Sequence, residues 1–291
     1  MKPAPFDYAA PDSLAEALSL VAAHGSDAKL LAGGQSLIPA MNFRLLQPAI
    51  LIDLNRVEEL AGIERTAAGR LRLGAMMRQA QVERDPRVAQ FAPLLAEAMP
   101  HIAHPQIRNR GTIGGSMVHA DPAAELPVVA VALDAVFEIV SQRGRRRVEA
   151  KAFFQSLFTV DLAPDEIVTA IEFPPWLAGS GWAFVEVARR RGDYALAGVA
   201  AVVTLDEAGK CRHARLVYLN LGDGPVDAPA AARLLQNELL TPHVIEAAAH
   251  HAAAQEIDPT GNIHASADFQ RHLARVLTRR ALTTAAARAH H

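Results

Sequence analysis

Two glycine pairs, roughly eighty residues apart, constrain this chain more than any other feature of its sequence. They occur as AGGQS over residues 32–36 and as TIGGS over residues 112–116. Glycine allows positive φ angles and a close approach to a ligand, and successive N–H groups in such a turn can bind an anion. Neither motif has the glycine spacing of a Rossmann fingerprint or a P-loop. Each pair alone is equally well explained by a tight turn without a ligand, whereas the two together favour a pyrophosphate held from two sides.

Composition narrows the class of protein. The chain has 291 residues, of which 51% are hydrophobic, so we expect a globular protein with more than one ordinary domain. A net charge of −2 provides no electrostatic case for binding nucleic acid. The single cysteine, Cys211, excludes a disulfide framework within the chain and any cysteine-rich zinc or iron–sulphur site.

The N-terminal segment has no apolar core of signal-peptide type, and no uninterrupted apolar run reaches about 18 residues. We therefore expect a cytoplasmic protein without a transmembrane segment. The terminal pair His290-His291 resembles the start of a purification tag and is set aside.

The pattern of apolar residues predicts an α+β chain in two parts. A helix over 11–25 has a candidate capping box at its start and Gly25 at its end. A hairpin is expected over 135–150, with the basic run RGRRR at a solvated tip. Pro174-Pro175 and the LAGSG segment after it form the best candidate boundary, beyond which three strands in a meander precede several helices.

Asp121 follows the second glycine motif and precedes Pro122. An acid before proline is typical of a helix N-cap, so a helix is expected over 122–135. The same carboxylate could also accept hydrogen bonds from a ribose or from the polyol of a flavin, and the two roles can coexist.

Other polar residues leave alternatives open. Arg108 and Arg110 precede the second motif and would either bind phosphate or pair with surface acids. His101 and His104 lie three residues apart but lack a third ligand nearby, so a zinc site is not expected. We assign no metal ligand to this chain.

Four segments, in this order and at these distances, carry a family resemblance: AGGQSLIPAM, IRNRGTIGGSMVHADPAAELP, EVARRRGDYALAGVAA and SADFQRHLARVLTRRAL. Together they resemble the FAD-binding medium subunit of bacterial molybdenum hydroxylases, a group that includes the medium subunit of aerobic carbon monoxide dehydrogenase and the flavin domain of xanthine dehydrogenase. The resemblance covers essentially the whole chain.

The resemblance implies a fold and its boundaries. Residues 1–176 would form a two-lobed FAD-binding domain of the vanillyl-alcohol-oxidase/MurB (PCMH) type, with lobes at about 1–57 and 58–176. Residues 177–291 would form a smaller α+β domain of the carbon monoxide dehydrogenase flavoprotein type, with a three-stranded sheet and helices.

The resemblance also implies a cofactor site. Tyr194 would lie against or close to the isoalloxazine, although its alternative role is that of a core strand residue. A lysine that contacts the flavin in some relatives is replaced here by Val185 and Glu186, and the histidine used for covalent attachment has no clear counterpart, so we expect non-covalent FAD. The implied cofactor-binding residues are Ala32, Gly33, Gly34, Gln35, Ser36, Gly111, Thr112, Ile113, Gly114, Gly115, Asp121, Asp193 and Tyr194.

The implied function is electron transfer. FAD would take electrons from iron–sulphur clusters on a small partner subunit and pass them to NAD, a quinone or oxygen. The molybdenum cofactor and the substrate would belong to a large partner subunit, and the complex would be a dimer of heterotrimers. No catalytic residue is expected in this chain. Two alternatives remain at this point, a stand-alone flavin oxidoreductase of MurB type and a non-enzymatic nucleotide-binding module.

Overall fold

The N-terminal part of the chain forms a small parallel sheet. The computed structural model describes residues 2–289, and His290-His291 lie outside them. The elements are β1 (Asp7–Ala9), α1 (Leu14–His24), β2 (Ala28–Leu31), α2 (Leu37–Asn42) and β3 (Ile50–Asp53). The strand order is β1-β3-β2, and Leu31 pairs with Asp53, so β2 and β3 end at the same edge. The predicted helix is confirmed, since the Ser13 side chain accepts the N–H of Glu16 at its start.

The second part forms an antiparallel five-stranded sheet in the order β4-β5-β10-β6-β7. Its elements are β4 (Ile63–Arg65), β5 (Leu71–Gly74), α3 (Gln79–Arg84), α4 (Pro86–Phe91), α5 (Pro93–Ala98), α6 (Pro105–Arg108), α7 (Ile113–His119), α8 (Glu125–Ala132), β6 (Val136–Ser141), β7 (Gly144–Glu149), α9 (Ala150–Phe153), β8 (Phe154–Ser156), β9 (Thr159–Val160) and β10 (Ile167–Phe173). The central strand β10 is buried along its whole length, as expected when both neighbours and an apolar layer cover it.

The predicted hairpin is β6 and β7, and its basic run is largely exposed, as expected, although several of its arginines form ion pairs. Arg143 pairs with Asp165, and the Nη2 atom of Arg146 lies 2.7 Å from Glu166. Because β7 is an edge strand, its outward side chains lie beside the carboxylates of neighbouring segments. Ion pairs between segments distant in sequence cannot be inferred from the local charge pattern, so the sequence did not reveal these.

The C-terminal part forms an antiparallel sheet of four strands, whereas three were expected. Its elements are β11 (Ser180–Ala188), β12 (Ala195–Leu205), β13 (Cys211–Leu219), β14 (Val226–Asp227), α10 (Pro229–Arg233), α11 (Pro242–His251) and α12 (Ala267–Ala289). The additional strand has two residues, and Val226 pairs with Tyr218. A strand this short shows no periodic pattern, so the sequence could not reveal it.

The C-terminal sheet lies between two apolar layers. Helix α12 packs on one face, while α5 and α8 contact the other. Gly181 allows the close approach of α12, because a Cβ atom there would lie 1.9 Å from the Ala285 carbonyl oxygen. These contacts hold the C-terminal sheet against the second part of the chain.

The segment after the second glycine motif differs from its prediction. Helix α8 begins at Glu125, and Asp121 is not its N-cap. Instead, Asp121 Oδ1 accepts the N–H of Ala123 at 2.9 Å, and the N–H of Asn220 donates to the Pro122 carbonyl. An aspartate that bonds the backbone two residues ahead forms a turn that competes with the helix. Between residues 2 and 289, no helix combines the length and apolar character needed to cross a bilayer.

Candidate dinucleotide site

The first glycine motif forms an open backbone loop at the end of β2. Gly34 has a φ angle of 73°, and the Gln35 side chain donates to the Gly33 carbonyl at 3.1 Å. Across residues 2–289, the N–H groups of residues 33–36 find no hydrogen-bond acceptor. Consecutive unpaired N–H groups in a turn form a site for an anion.

The second glycine motif is not a bare turn. Thr112 is the N-cap of α7, and its Oγ1 atom accepts the N–H of Gly115 at 3.1 Å. The N–H groups of Ile113 and Gly114 donate to carbonyls of residues 77 and 75, and that of Ser116 donates to the Thr112 carbonyl, so the chain itself uses four N–H groups of this motif. A Cβ atom on Gly114 would lie 2.6 Å from the Ala75 Cβ atom. The glycines of the second motif therefore allow the chain to pack closely, in addition to any contact with a ligand.

The two motifs touch each other. A Cβ atom on Gly33 would lie 2.5 Å from the Arg110 carbonyl oxygen and 2.8 Å from the Gly111 Cα atom. A Cβ atom on Gly115 would lie 3.5 Å from the Ala32 Cβ atom. The structure therefore brings the unpaired N–H groups of the first motif beside the start of α7.

Asp121 and Tyr194 lie beyond the other end of α7. Seven residues give this helix a length of about 10 Å, and Ala120 ends it in a left-handed conformation. Tyr194 lies in the loop before β12 and is 70% exposed, which rules out its core alternative. Partial shielding from water, and then the charges of Asp121 and Glu125, raise the pKa of the Tyr194 hydroxyl. Asp193, also predicted at the site, pairs with Arg190 at 3.1 Å.

Two buried acids lie beside this end of the site; the sequence identified Glu186 only as a replacement for a flavin-contacting lysine and gave no indication of Glu125. Glu125 is 8% exposed, and burial followed by the charge of Glu186 raises its pKa to about 8. Glu186 Oε1 lies 3.2 Å from His101 Nδ1, and Glu186 Oε2 is buried without a partner among the described residues. The hydrogen bond from Glu186 raises the pKa of His101. The one available signal was a glutamate inside the apolar strand WAFVEVA.

A cavity of about 450 Å³ adjoins this group and is lined by His101, Glu186 and residues 188–192. His104, unlike His101, packs against Gly192. Its ring lies so close that a Cβ atom on Gly192 would be 2.3 Å away. The two histidines therefore have separate packing partners. No cluster of histidine, cysteine or acidic side chains suited to a metal ion occurs within residues 2–289.

The structure separates the two arginines that precede the second motif. Arg108 is 6% exposed and forms two hydrogen bonds with Glu83, at 2.8 and 3.1 Å. It holds α6 to α3, which removes it as a phosphate ligand. Arg110 is exposed and forms no ion pair within the described chain, so the phosphate alternative stays open for it.

The donor set fits a dinucleotide. Unpaired N–H groups suit a diphosphate at one end of α7, while a carboxylate and an exposed aromatic ring lie near the other end, about 10 Å away. The contact between the two motifs favours one shared ligand over two unrelated turns.

Comparison with known proteins agrees with this class of site. Residues 4–176 match the FAD binding domain in molybdopterin dehydrogenase, and residues 182–285 match the C-terminal domain of carbon monoxide dehydrogenase flavoproteins. The chain is 46% identical to the 6-hydroxypseudooxynicotine dehydrogenase complex subunit alpha of Paenarthrobacter nicotinovorans, over 99% of this chain and 97% of that protein.

Solved structures are also similar. Carbon monoxide dehydrogenase from Hydrogenophaga pseudoflava, in a form lacking the Mo-pyranopterin moiety, superimposes with a TM-score of 0.95 and 40% identity, covering 99% of each chain. Quinoline 2-oxidoreductase from Pseudomonas putida 86 superimposes with a TM-score of 0.95 and 37% identity over 100% of both chains.

The fold and the site define a two-domain flavoprotein component of an oxidoreductase. More particularly, the chain belongs to the family of FAD-binding medium subunits of molybdenum-containing dehydrogenases. The family resemblance inferred from the four sequence segments is thereby confirmed.

Proposed function

We propose that this chain is the FAD-carrying electron-transfer subunit of a molybdenum hydroxylase complex. It takes electrons from iron–sulphur clusters of a small partner subunit and passes them to NAD, a quinone or oxygen. The observation that carries the proposal is the row of unpaired N–H groups over residues 33–36, directly beside the start of α7.

The proposed cofactor site follows the length of α7. The N–H groups of residues 33–36 hold the diphosphate, and the backbone around Gly111 closes the opposite side. Asp121 accepts hydrogen bonds further along the cofactor, through the carboxylate oxygen that the Ala123 turn leaves available. Tyr194 provides an aromatic wall near the isoalloxazine, and attachment is non-covalent.

Bound FAD supplies the change between one- and two-electron steps, while the protein supplies position and electrostatics. Glu125 and Glu186 place two carboxyl groups at this end of the site, and the raised pKa of Glu125 means that its carboxyl group holds a proton near neutral pH. His101 hydrogen-bonds Glu186 and partly offsets its charge. The chain contributes no nucleophile to the chemistry.

The proposal includes an arrangement of domains and partners. Residues 1–176 form a PCMH-type FAD domain with lobes at about 1–57 and 58–176, and residues 177–291 form the C-terminal domain. A large molybdenum subunit and a small iron–sulphur subunit complete a dimer of heterotrimers. Support comes from the relatives, which include a dehydrogenase complex subunit and a carbon monoxide dehydrogenase medium chain. Location in the cytoplasm stays a prediction from the sequence.

Purification of the protein from its native source tests this function. The expected preparation contains FAD, molybdenum and iron together with two further polypeptides, and its substrate reduces the bound flavin. A chain that purifies alone and turns over a substrate without molybdenum or iron contradicts the proposal and favours the stand-alone MurB-type alternative.

A further inference from the structure

A line of side-chain hydrogen bonds joins the two glycine motifs. The Asn55 Nδ2 atom donates to the Ala32 carbonyl at 3.0 Å, and the Asn55 Oδ1 atom accepts from the Arg78 guanidinium. A second nitrogen of Arg78 donates to the Arg110 carbonyl. Ala32 immediately precedes Gly33, and Arg110 immediately precedes Gly111, so each end of this line reaches the backbone of one motif.

The backbone N–H groups of Asn55 and Arg78 also form hydrogen bonds, which hold both residues in place. The Asn55 N–H donates to Asp53 Oδ1 at 2.9 Å, just after β3, which ends at the same edge as β2. The Arg78 N–H donates to Gln81 Oε1 at the start of α3, and Arg78 pairs with Thr112 in an isolated β-bridge. Asn55 therefore belongs to the first part of the chain, just after β3, and Arg78 to the second part, at the start of α3.

The Arg78 charge has no carboxylate partner. Its guanidinium hydrogen-bonds neutral oxygens, and the described residues contain no ion pair to it. Burial, and then the nearby charge of Arg110, lower its pKa, and the more weakly acting charge of Asp53 opposes them. Arg78 therefore brings a half-buried positive charge, without a close ion-pair partner among the described residues, to the junction of the two motifs, where a bound anion would interact favourably with it.

We propose that Arg78 and Asn55 are positioning residues that fix the spacing of the two glycine motifs, so that both motifs contact one dinucleotide. The planar fork of arginine reaches two acceptors in fixed directions, whereas lysine carries the same charge without that geometry. This inference rests on the proposed function, because it assigns the two motifs to a single bound FAD.

The test is the affinity of the FAD-depleted protein for FAD, measured by flavin fluorescence in the wild type and in variants. Arg78→Lys keeps the charge and loses the fork, while Asn55→Ala breaks the line at an exposed residue. Arg84→Ala is the matched control, because Arg84 lines the same groove as Arg78 but hydrogen-bonds neither motif.

The expected result is a dissociation constant raised about ten- to hundredfold in each single variant, as for the loss of a charged hydrogen bond. The double variant should be little worse than either single one, because the line acts as a unit. Arg84→Ala should bind like the wild type. The FAD-free variants should unfold at nearly the wild-type temperature, which separates positioning from a general loss of stability.

Near wild-type affinity in Arg78→Lys would overturn the proposal, since charge alone would then suffice. Lower unfolding temperatures with unchanged FAD affinity would overturn it too, because the residues would then serve folding only. If Arg78→Lys does not fold, the FAD affinity of Asn55→Ala alone tests the proposal. Failure of the wild type itself to bind FAD refutes the proposed function and this inference together, whereas tight wild-type binding with unaffected variants refutes this inference alone.

Discussion

Gly33 is the residue at which the two motifs come closest. Replacement by valine places a side chain where the Arg110 carbonyl oxygen and Gly111 Cα atom already lie, so the motifs must separate. We expect Gly33→Val to lose FAD while the rest of the chain stays folded, as judged by flavin content and circular dichroism. Gly224→Val is a suitable control, because a Cβ atom at Gly224 meets nothing within 4 Å. Stoichiometric FAD in Gly33→Val would contradict the assignment of this loop.

Glu125 makes stability depend on pH. Its pKa of about 8 in the folded protein exceeds its usual value near 4.5, so the folded state binds this proton more tightly than the unfolded state does. The part of the unfolding free energy that Glu125 contributes is therefore lost as pH rises from about 4.5 to about 8. The pKa of His101 is also raised, so the stability it contributes is fully present below about 6.5 and is lost as pH rises through its folded pKa. The two effects act in the same direction.

Glu125→Gln should remove most of this pH dependence. The fall in the free energy of unfolding that Glu125 causes is at most about 5 kcal/mol, because one pKa unit corresponds to ~1.4 kcal/mol. Urea unfolding of the FAD-free chain at pH 5.5 and pH 8 measures the larger part of this fall, about 3 kcal/mol, with the exposed Glu207→Gln as control. Equal pH dependence in the wild type and Glu125→Gln would show that the buried carboxyl group is not the cause.

Residues with a local signal were predictable, and residues defined by distant neighbours were not. Gly34 was recognisable because a paired glycine predicts a turn with positive φ, which the structure has. Asn55 follows β3 at the edge where β2 also ends, so a parallel pairing of these strands would have pointed to it. Glu125 and Glu186 become neighbours only when the C-terminal sheet packs against α8, which no local pattern specifies.

At the scale of elements, α7 links the site to the fold. Its N-cap Thr112 was predicted as a cofactor ligand, yet its hydroxyl oxygen already accepts the N–H of Gly115. We expect Thr112→Ala to cost about 1 kcal/mol of unfolding free energy in the FAD-free protein, the usual effect of removing such a cap. Thr112→Ser keeps the hydroxyl and should retain most of that stability in urea titrations. Equal losses in the two variants would argue against capping by the hydroxyl.

Element predictions succeeded where caps and periodicity agreed. Helix α1 has both a capping serine and buried residues at helical spacing, and its bounds lie within the predicted 11–25. The start of α8 was misplaced because Asp121 and Pro122 are as suitable for a turn as for a helix start. Tertiary contact with Asn220 favours the turn, and this contact joins segments almost a hundred residues apart.

At the scale of the whole molecule, the site lies where three packing units meet. One apolar cluster fills the first sheet, a second fills the five-stranded sheet and one face of the C-terminal sheet, and a third lies under α12. The glycine motifs come from the first two units, and Tyr194 comes from the loop between β11 and β12 of the C-terminal part. The family resemblance identified the cofactor class, which residue chemistry alone left open between a dinucleotide site and two tight turns.

The division of labour among subunits gives a prediction for the isolated chain. Expressed alone, it should bind FAD but leave the substrate of the whole complex unoxidised, because the proposed substrate site belongs to a partner. A chemical reductant should still reduce its flavin, which is the positive control. If the isolated chain oxidises that substrate, as monitored by bleaching of the flavin absorption, the proposed division of tasks among the subunits is contradicted.

Flavin content of the isolated, folded chain tests the central claim most directly. The account predicts about one FAD per chain, visible as absorption bands in the blue and near ultraviolet and released into the supernatant by acid precipitation. Folded protein without flavin, including after incubation with excess FAD, would contradict the account. Flavin that stays in the acid pellet would contradict its non-covalent attachment.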